Sequence, residues 1–370
     1  MDKKICDLST PCFLVDLEKT KRNCEHMIRT CKELNLRLRP HTKTHKTIEA
    51  AILQTNGTKR CIAVSTLAEA EFYANNGFDD ILLAYPVTED KIQRCLALVK
   101  QLDKFQVMVS GNDGLQCLED HISDLPEGKV WFVVIEVDLG YGRTGFPWDS
   151  GDLIKTAKAV SLATKMKLEQ LYAHCGNSYA VKSIKERQDL QYENIARLRK
   201  LQAKLNIDCS IGVGSTPTCS LPLDDNKLLS EFHPGNYVFY DYMQHLIGSC
   251  TESSIACRVM TRVTAHKQEK NTILIDCGFT ALGHDGKKER LPLLDFCLIQ
   301  GESNLKLIEM SQEIGKIAAK EGELDCRLYP IGTILYIIPY HSCCTSALHA
   351  EYQVHVGDAV VETWKPVRGW

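Results

Sequence analysis

The sequence predicts a (β/α)8 barrel of the TIM type followed by a smaller β-rich C-terminal domain, and three observations carry this. Eight short strand-like segments, each leading into a helical or loop segment, recur between residues 36 and 248. The fifth, VWFVVIEV (130–137), is almost continuously apolar, as a strand covered on both faces must be. Near Ser249 the texture changes to period-two runs separated by polar turns. An open doubly wound sheet would suit the same β/α alternation. However, no strand-like segment opens into the GxGxxG turn expected there. The domains are then 17–248 for the barrel, and 1–16 plus 249–370 for the β-rich domain.

The elements follow in order. After Thr10-Pro11, residues 12–15 read as extended and suited to pairing with the β-rich domain. A helix is expected over 17–34 from apolar residues at helical spacing. The first barrel strand is LRLR (36–39), stopped by Pro40 and followed by a helix in IEAAILQT that ends at Asn56-Gly57. CIAVS (61–65) precedes a helix with Thr66 as cap, Glu69 in capping-box position and Gly77 as stop. ILLAYP (81–86) precedes a helix with a Thr cap and an acidic first turn, and FQVMVS (105–110) one near 114–122. Helices in DLIKTAKAVSLATK and around 184–205 follow the fifth strand and the sixth, LEQLYAH (168–174). DCSIGVG (208–214) is the seventh. EFHPGNYVFY (231–240) holds the eighth, interrupted by Pro-Gly. Beyond 249, the runs around 255–282, TILYIIPY and YQVHVGDAVVETW read as strands, with one helical candidate over 305–319.

Composition excludes several classes. The 370 residues are 25% charged and 44% hydrophobic, ordinary for a globular chain with a sizeable core. A formal net charge of -3 gives no basic field for nucleic acid or an anionic membrane surface. No apolar run nears the ~20 residues that span a bilayer, and the N-terminus shows no signal-peptide pattern. The 17 cysteines are odd in number and many lie in apolar runs, which suits reduced core residues in a cytoplasmic enzyme.

Polar residues collect where a barrel places its chemistry, at the C-terminal ends of strands. His41, Lys43, His45 and Lys46 follow the first strand, and Tyr85 ends the third. Asp138, Tyr141 and Arg143 follow the fifth; Tyr172, His174, Asn177 and Tyr179 lie at the sixth. Gly214, Ser215, Thr216 and Thr218 follow the seventh, and Gly235, Asn236 and Tyr237 the eighth. The Lys/His cluster reads equally as a solvated basic turn were it isolated, and GVGSTPT as a plain turn. Taken together, a strand-end lysine and small hydroxyl-rich loops after strands seven and eight are what pyridoxal phosphate needs: a Schiff-base amine and a phosphate cradle. Lys43 suits the amine better than Lys46, being closer to the strand end. Far along the chain, His341 and Cys343 in YHSCCTSALH form an H-x-C pair whose imidazole and thiolate suit Zn²⁺ with open positions left for substrate. His174 and Cys344 are further metal candidates, whereas His26, His121, His284 and His355 read as ordinary surface or core residues.

The motifs RPHTKTHKT, EVDLGYGRTGF, HCGNSY, GVGSTPT, HPGNYVFYD and PYHSCC, in that order, resemble the D-threonine aldolase/D-serine dehydratase group of fold-type III pyridoxal-phosphate enzymes, relatives of alanine racemase. The chain is most similar to the eukaryotic zinc-dependent D-serine dehydratases within that group. The resemblance covers nearly the whole chain. It implies a homodimer, Lys43 as Schiff base and general base, and cofactor contacts from Arg143, Tyr172, Tyr179, Thr216, Gly235 and Asn236. It also implies zinc on His341 and Cys343. The expected reaction is a carbon–nitrogen lyase step, with a small D-amino acid, D-serine, as substrate and pyruvate and ammonia as products. D-threo-3-hydroxyaspartate dehydratase, D-threonine aldolase and a non-catalytic cofactor-binding protein are the alternatives. D-threonine aldolases usually carry Asp where Cys343 stands, which favours dehydration. Tyr340, where Asn is frequent, and Cys175 depart from the group's usual pattern.

Overall fold

The computed structural model describes residues 3–181, 183–286 and 296–370. Its strands in chain order are β1 (Cys12–Asp16), β2 (Arg37–Leu38), β3 (Arg60–Val64), β4 (Asp79–Pro86), β5 (Phe105–Val109), β6 (Trp131–Asp138), β7 (Phe146–Pro147), β8 (Met166–His174), β9 (Ser210–Gly214) and β10 (Glu231–Phe232). They continue with β11 (Cys257–Lys267), β12 (Thr272–Ile275), β13 (Cys297–Ile299), β14 (Leu305–Met310), β15 (Gly315–Ala319), β16 (Ile334–Pro339), β17 (Tyr352–Val356) and β18 (Ala359–Trp364). Two compact units emerge, Met1–Cys24 with Asn236–Pro366, and Glu25–Gly235 with Val367–Trp370.

The second unit is the barrel. Eight parallel strands run in the order β2-β10-β9-β8-β6-β5-β4-β3, with β7 appended to β6. The eight expected strands are all present. β2 is short by its ladder, but its pairing goes further. The N–H groups of Arg37, Arg39 and His41 donate to the carbonyls of Ser230, Phe232 and Pro234. On the other side Ala63 N–H donates to Pro40 O at 3.0 Å, and a parallel bridge joins His41 to Ala63. These bonds close the sheet. The eighth strand ends at Phe232 because Pro234 has no N–H to extend the ladder.

Side chains alternate along each strand, so the barrel interior is layered. One layer is Ala63, Leu82, Met108, Val134 and Tyr172, all buried. Two residues toward the strand N-termini lie Asp80, Gln106 and Gln170, joined to Arg39 and Glu231 in one polar network. The fully buried Arg39 donates Nε to Glu231 at 3.0 Å and Nη1 to Asp80 at 2.9 Å. Gln170 donates to Glu231 at 3.0 Å and Gln106 to Asp80 at 2.7 Å, while Arg37 pairs with Glu231 from the rim. Two residues toward the C-termini lie Ser65, Ser110, Glu136 and His174, at the mouth.

The other unit is antiparallel in the main. β1 pairs antiparallel with β11 and parallel with β17, as the extended N-terminal reading required. The helix expected over 305–319 is instead the hairpin β14–β15. The run LKLIEM alternates buried and exposed positions before its turn, and pairing with β12 through β15 overrides the ambiguous helical spacing. Among the described residues, no helix is long and apolar enough to cross a membrane.

Removing Glu231 takes from buried Arg39 its fully buried carboxylate partner and leaves it only Asp80. Glu231→Ala should cost about 3–5 kcal/mol of stability, read as a lowered urea midpoint; a loss in the ~0–1 kcal/mol range of exposed pairs would contradict the buried network.

Candidate active site and metal centre

Lys43 sits in a single 3-10 turn, Thr42–Thr44, two residues past the last rung that closes the barrel. The turn is pinned at both edges. Thr42 Oγ1 donates to Ala63 O at 3.3 Å, and Lys43 N–H donates to His41 Nδ1 at 3.3 Å. The Lys43 side chain is half-buried and its charge acts on three histidines, His41, His174 and His233. Burial holds all three neutral. His41 and His174 fall well below the ordinary imidazole value, first by burial and next by Lys43. Burial brings His233 down to about 3, against the partial opposition of Glu231.

His233 comes from HPGNY and was not singled out in the sequence. Its ring stacks on Tyr172, centroids 3.7 Å apart and planes 11° from parallel, and its Nε2 faces Ala173 O at 3.2 Å. Gly214 makes this possible. A Cβ there would lie 1.9 Å from the His233 ring, so no larger residue fits. Tyr172, an expected cofactor contact, is thus a wall of the barrel interior, its phenol kept protonated by burial.

The other expected residues lie at the same mouth or in the unit built on the antiparallel sheet. Arg143 is exposed, Nη2 3.7 Å from Glu136 Oε1, with Glu136 also accepting from Ser110 at 2.6 Å and Thr144 at 2.9 Å. Asp138 holds the loop that carries Arg143 by accepting from the N–H groups of Gly140, Tyr141 and Gly142. Tyr179 is half-buried in the turn Gly176–Tyr179. Ser215, after β9, shares hydroxyl bonds with Ser178 at 2.9 Å and Thr218 at 2.8 Å. Gly235 is packed against the Lys43 turn, where a Cβ would meet His41 O at 2.9 Å. Buried Thr216 Oγ1 has no protein partner, as expected of a hydroxyl reserved for an anionic ligand. This orphaned hydroxyl and the close glycine fit a phosphate-bearing cofactor.

In the unit built on the antiparallel sheet, His341 and Cys343 open the helix Ser342–Ala347. His341 Nδ1 meets Asp285 Oδ2 at 2.6 Å, which leaves Nε2 for a metal, the usual carboxylate–histidine arrangement. Burial works against charge on His341, but Cys343 and Asp285 outweigh it and raise the imidazole well above its ordinary value. Asn236 donates Nδ2 to Asp241 at 2.6 Å and Ser342 at 2.9 Å, with Cys343 Sγ 3.7 Å away; its Oδ1 has no protein partner. Asp241 also accepts from Ser342 N–H at 2.9 Å, tying the segment after β10 to the H-x-C turn. Thiolate, imidazole and a carboxylate behind the imidazole make a donor set that fits a borderline-soft divalent cation. Asp285 carries no sequence signal, because it acts through a partner more than 50 residues away, whereas Asp241 closes the HPGNYVFYD motif and was not itself singled out.

Comparison with known proteins agrees with this geometry. Residues 15–242 match the model "Alanine racemase, N-terminal domain", and residues 256–355 "Putative serine dehydratase domain". The D-serine dehydratase of Dictyostelium discoideum is 32% identical, over 99% of this chain and 98% of its own. The solved D-threo-3-hydroxyaspartate dehydratase from Delftia sp. HT23 superposes with a TM-score of 0.92 at 28% identity, covering 100% of both chains. A metal-free form of a cysteine mutant of that enzyme gives a TM-score of 0.90 at 28% identity, again over 100% of both chains.

His45 supplies a pH test. Its Nε2 faces Gln54 Oε1 at 2.9 Å and its Nδ1 accepts from Thr47 N–H at 3.1 Å, so the neutral ring is fully bonded and burial lowers its pKa to about 4. Between about 4 and about 6.5 the unfolded chain binds the proton and the folded chain does not. Stability is therefore complete above pH ~6.5 and declines as pH falls toward 4, by up to roughly 3 kcal/mol from this group. His45→Gln should flatten urea midpoints between pH 7 and 5; an unchanged slope would refute the assignment.

Proposed function

Since the chain belongs to the D-serine dehydratase family of alanine racemase-like enzymes, we propose that it converts D-serine to pyruvate and ammonia with pyridoxal phosphate and zinc. The observation that carries this reading is a lysine two residues beyond the closing rung of an alanine racemase-type barrel, walled by neutral histidines. The family is dependent on pyridoxal phosphate. In this reading Lys43 would hold the cofactor, with Arg143, Tyr172, Tyr179, Thr216, Gly235 and Asn236 as its further contacts. The cofactor, when bound, supplies an electron sink for the charge left at the substrate's α-carbon. Zinc on His341 and Cys343 supplies a Lewis acid for the β-hydroxyl, a poor leaving group without one.

The chain's own residues then divide the work. Lys43 Nζ takes the α-proton as general base. The neutral imidazoles of His41 and His174 place no positive charge against that amine and exclude water from its buried side. Asp285 fixes the His341 ring so that Nε2 remains a donor. Loss of the β-hydroxyl as water leaves 2-aminoacrylate, and addition of water to that enamine releases pyruvate and ammonia. No net oxidation or reduction occurs. Zinc as the metal, a homodimer and a cytoplasmic location belong to the same proposal. Among the described residues, none of the cysteines is in a disulfide.

A second reading, dehydration of D-threo-3-hydroxyaspartate, is favoured by the match to the Delftia enzyme over the whole chain. D-threonine aldolase activity is the third, and Cys343 in place of Asp tells against it. The elaborated β unit with its H-x-C turn tells against a purely non-catalytic cofactor carrier. Product analysis separates them: pyruvate from D-serine, oxaloacetate from 3-hydroxyaspartate, glycine and an aldehyde from D-threonine. Lys43→Ala should abolish pyruvate formation and the visible absorbance of lysine-bound cofactor; an unchanged spectrum refutes the lysine. Chelation should remove turnover and zinc restore it, whereas a chelator-indifferent enzyme removes the Lewis acid from the mechanism. Cys343→Asp should depress dehydration more than any aldol cleavage.

A further inference from the structure

A second group of metal-ligating side chains lies on the barrel unit, apart from every residue used above. Glu89 stands in the turn after β4, and Cys117 and His121 lie at i and i+4 at the end of the helix Asn112–Asp120. One carboxylate oxygen, the thiol sulfur and one imidazole nitrogen all lie within 4.8 Å of one another. His121 Nε2 is 3.3 Å from Glu89 Oε1, and Cys117 Sγ is 3.4 Å from Glu89 Oε2. The sequence reading took His121 for an ordinary surface or core residue. Its ring is in fact oriented, for Nδ1 meets the Cys117 carbonyl at 3.0 Å. With the carbonyl on Nδ1, Nε2 is the ring nitrogen that faces Glu89, the arrangement of an imidazole that can offer Nε2 to a metal.

The surroundings suit a cation. Asp90 and Asp120 add negative charge around the thiol, Lys91 is engaged by Asp90 at 2.9 Å and Thr88 at 3.0 Å, and Cys117 itself is buried. Glu89 is exposed, which leaves a side open to water. We propose that Glu89, Cys117 and His121 form a second divalent-metal site, one that takes Zn²⁺ with three protein ligands and a water. Nitrogen, sulfur and oxygen donors in one site select a borderline-soft ion rather than Mg²⁺ or Ca²⁺. Bound there, the ion clamps the turn after β4 to the helix after β5. The site is independent of the proposed reaction.

Full-length protein carrying His341→Ala and Cys343→Ala isolates the site from the H-x-C pair. After chelator stripping under reducing conditions, it is titrated with Co²⁺. The expected result is one Co²⁺ per chain, with thiolate-to-cobalt charge-transfer absorbance that Zn²⁺ displaces. Cys117→Ser should abolish the absorbance. His121→Ala, at a partly exposed position that folding tolerates, should weaken binding beyond the ~10–100-fold typical of losing an outer-shell partner. Absence of a charge-transfer band, or a band that survives both substitutions, overturns the site.

Discussion

The barrel closes along one seam, and the chemistry is placed by that closure. Strand β2 is only two residues long by its ladder, yet three alternate N–H groups from Arg37 to His41 donate toward β10, and Pro40 O accepts from β3. The chain leaves this seam in a 3-10 turn whose hydroxyls and imidazole bond back to it. Lys43 is therefore fixed to a rigid sheet edge rather than to a mobile loop. A general base needs that, since proton transfer tolerates little displacement between amine and substrate carbon.

The interior is graded along the barrel axis. Full charges, Arg37, Arg39, Glu231 and Asp80, meet at the floor, where they neutralise one another. An apolar layer and the Tyr172–His233 stack separate them from the mouth. The mouth itself holds imidazoles kept neutral by burial. A buried charge without a partner would cost several kcal/mol, so the charges of the floor are paired with one another and the mouth is left receptive to an incoming charged ligand. Gly214 and Gly235 are small for the same reason. One makes room for the His233 ring and the other lets the backbone approach the Lys43 turn.

The eight strands were legible because parallel strands covered on both faces read as apolar runs with helices between them. The strand-end residues were legible because a barrel exposes that end. Other features depend on pairings that local pattern does not encode. The run 305–319 has spacing compatible with a helix, and its hairpin pairing together with its antiparallel partner β12 makes it sheet. Asp285 matters through His341, far along the chain. His233 looked like part of a turn motif until the tertiary fold stacked it on Tyr172. Cys117 and His121 do show i, i+4 spacing in the sequence, but Glu89 joins them only after two β/α units pack together.

The most direct measurement is to reduce the native protein, loaded with pyridoxal phosphate, with borohydride and to map the labelled peptide by mass spectrometry. A barrel closed at β2 predicts a single pyridoxyl group on Lys43. A label on Lys46, on another lysine, or spread over several would contradict it.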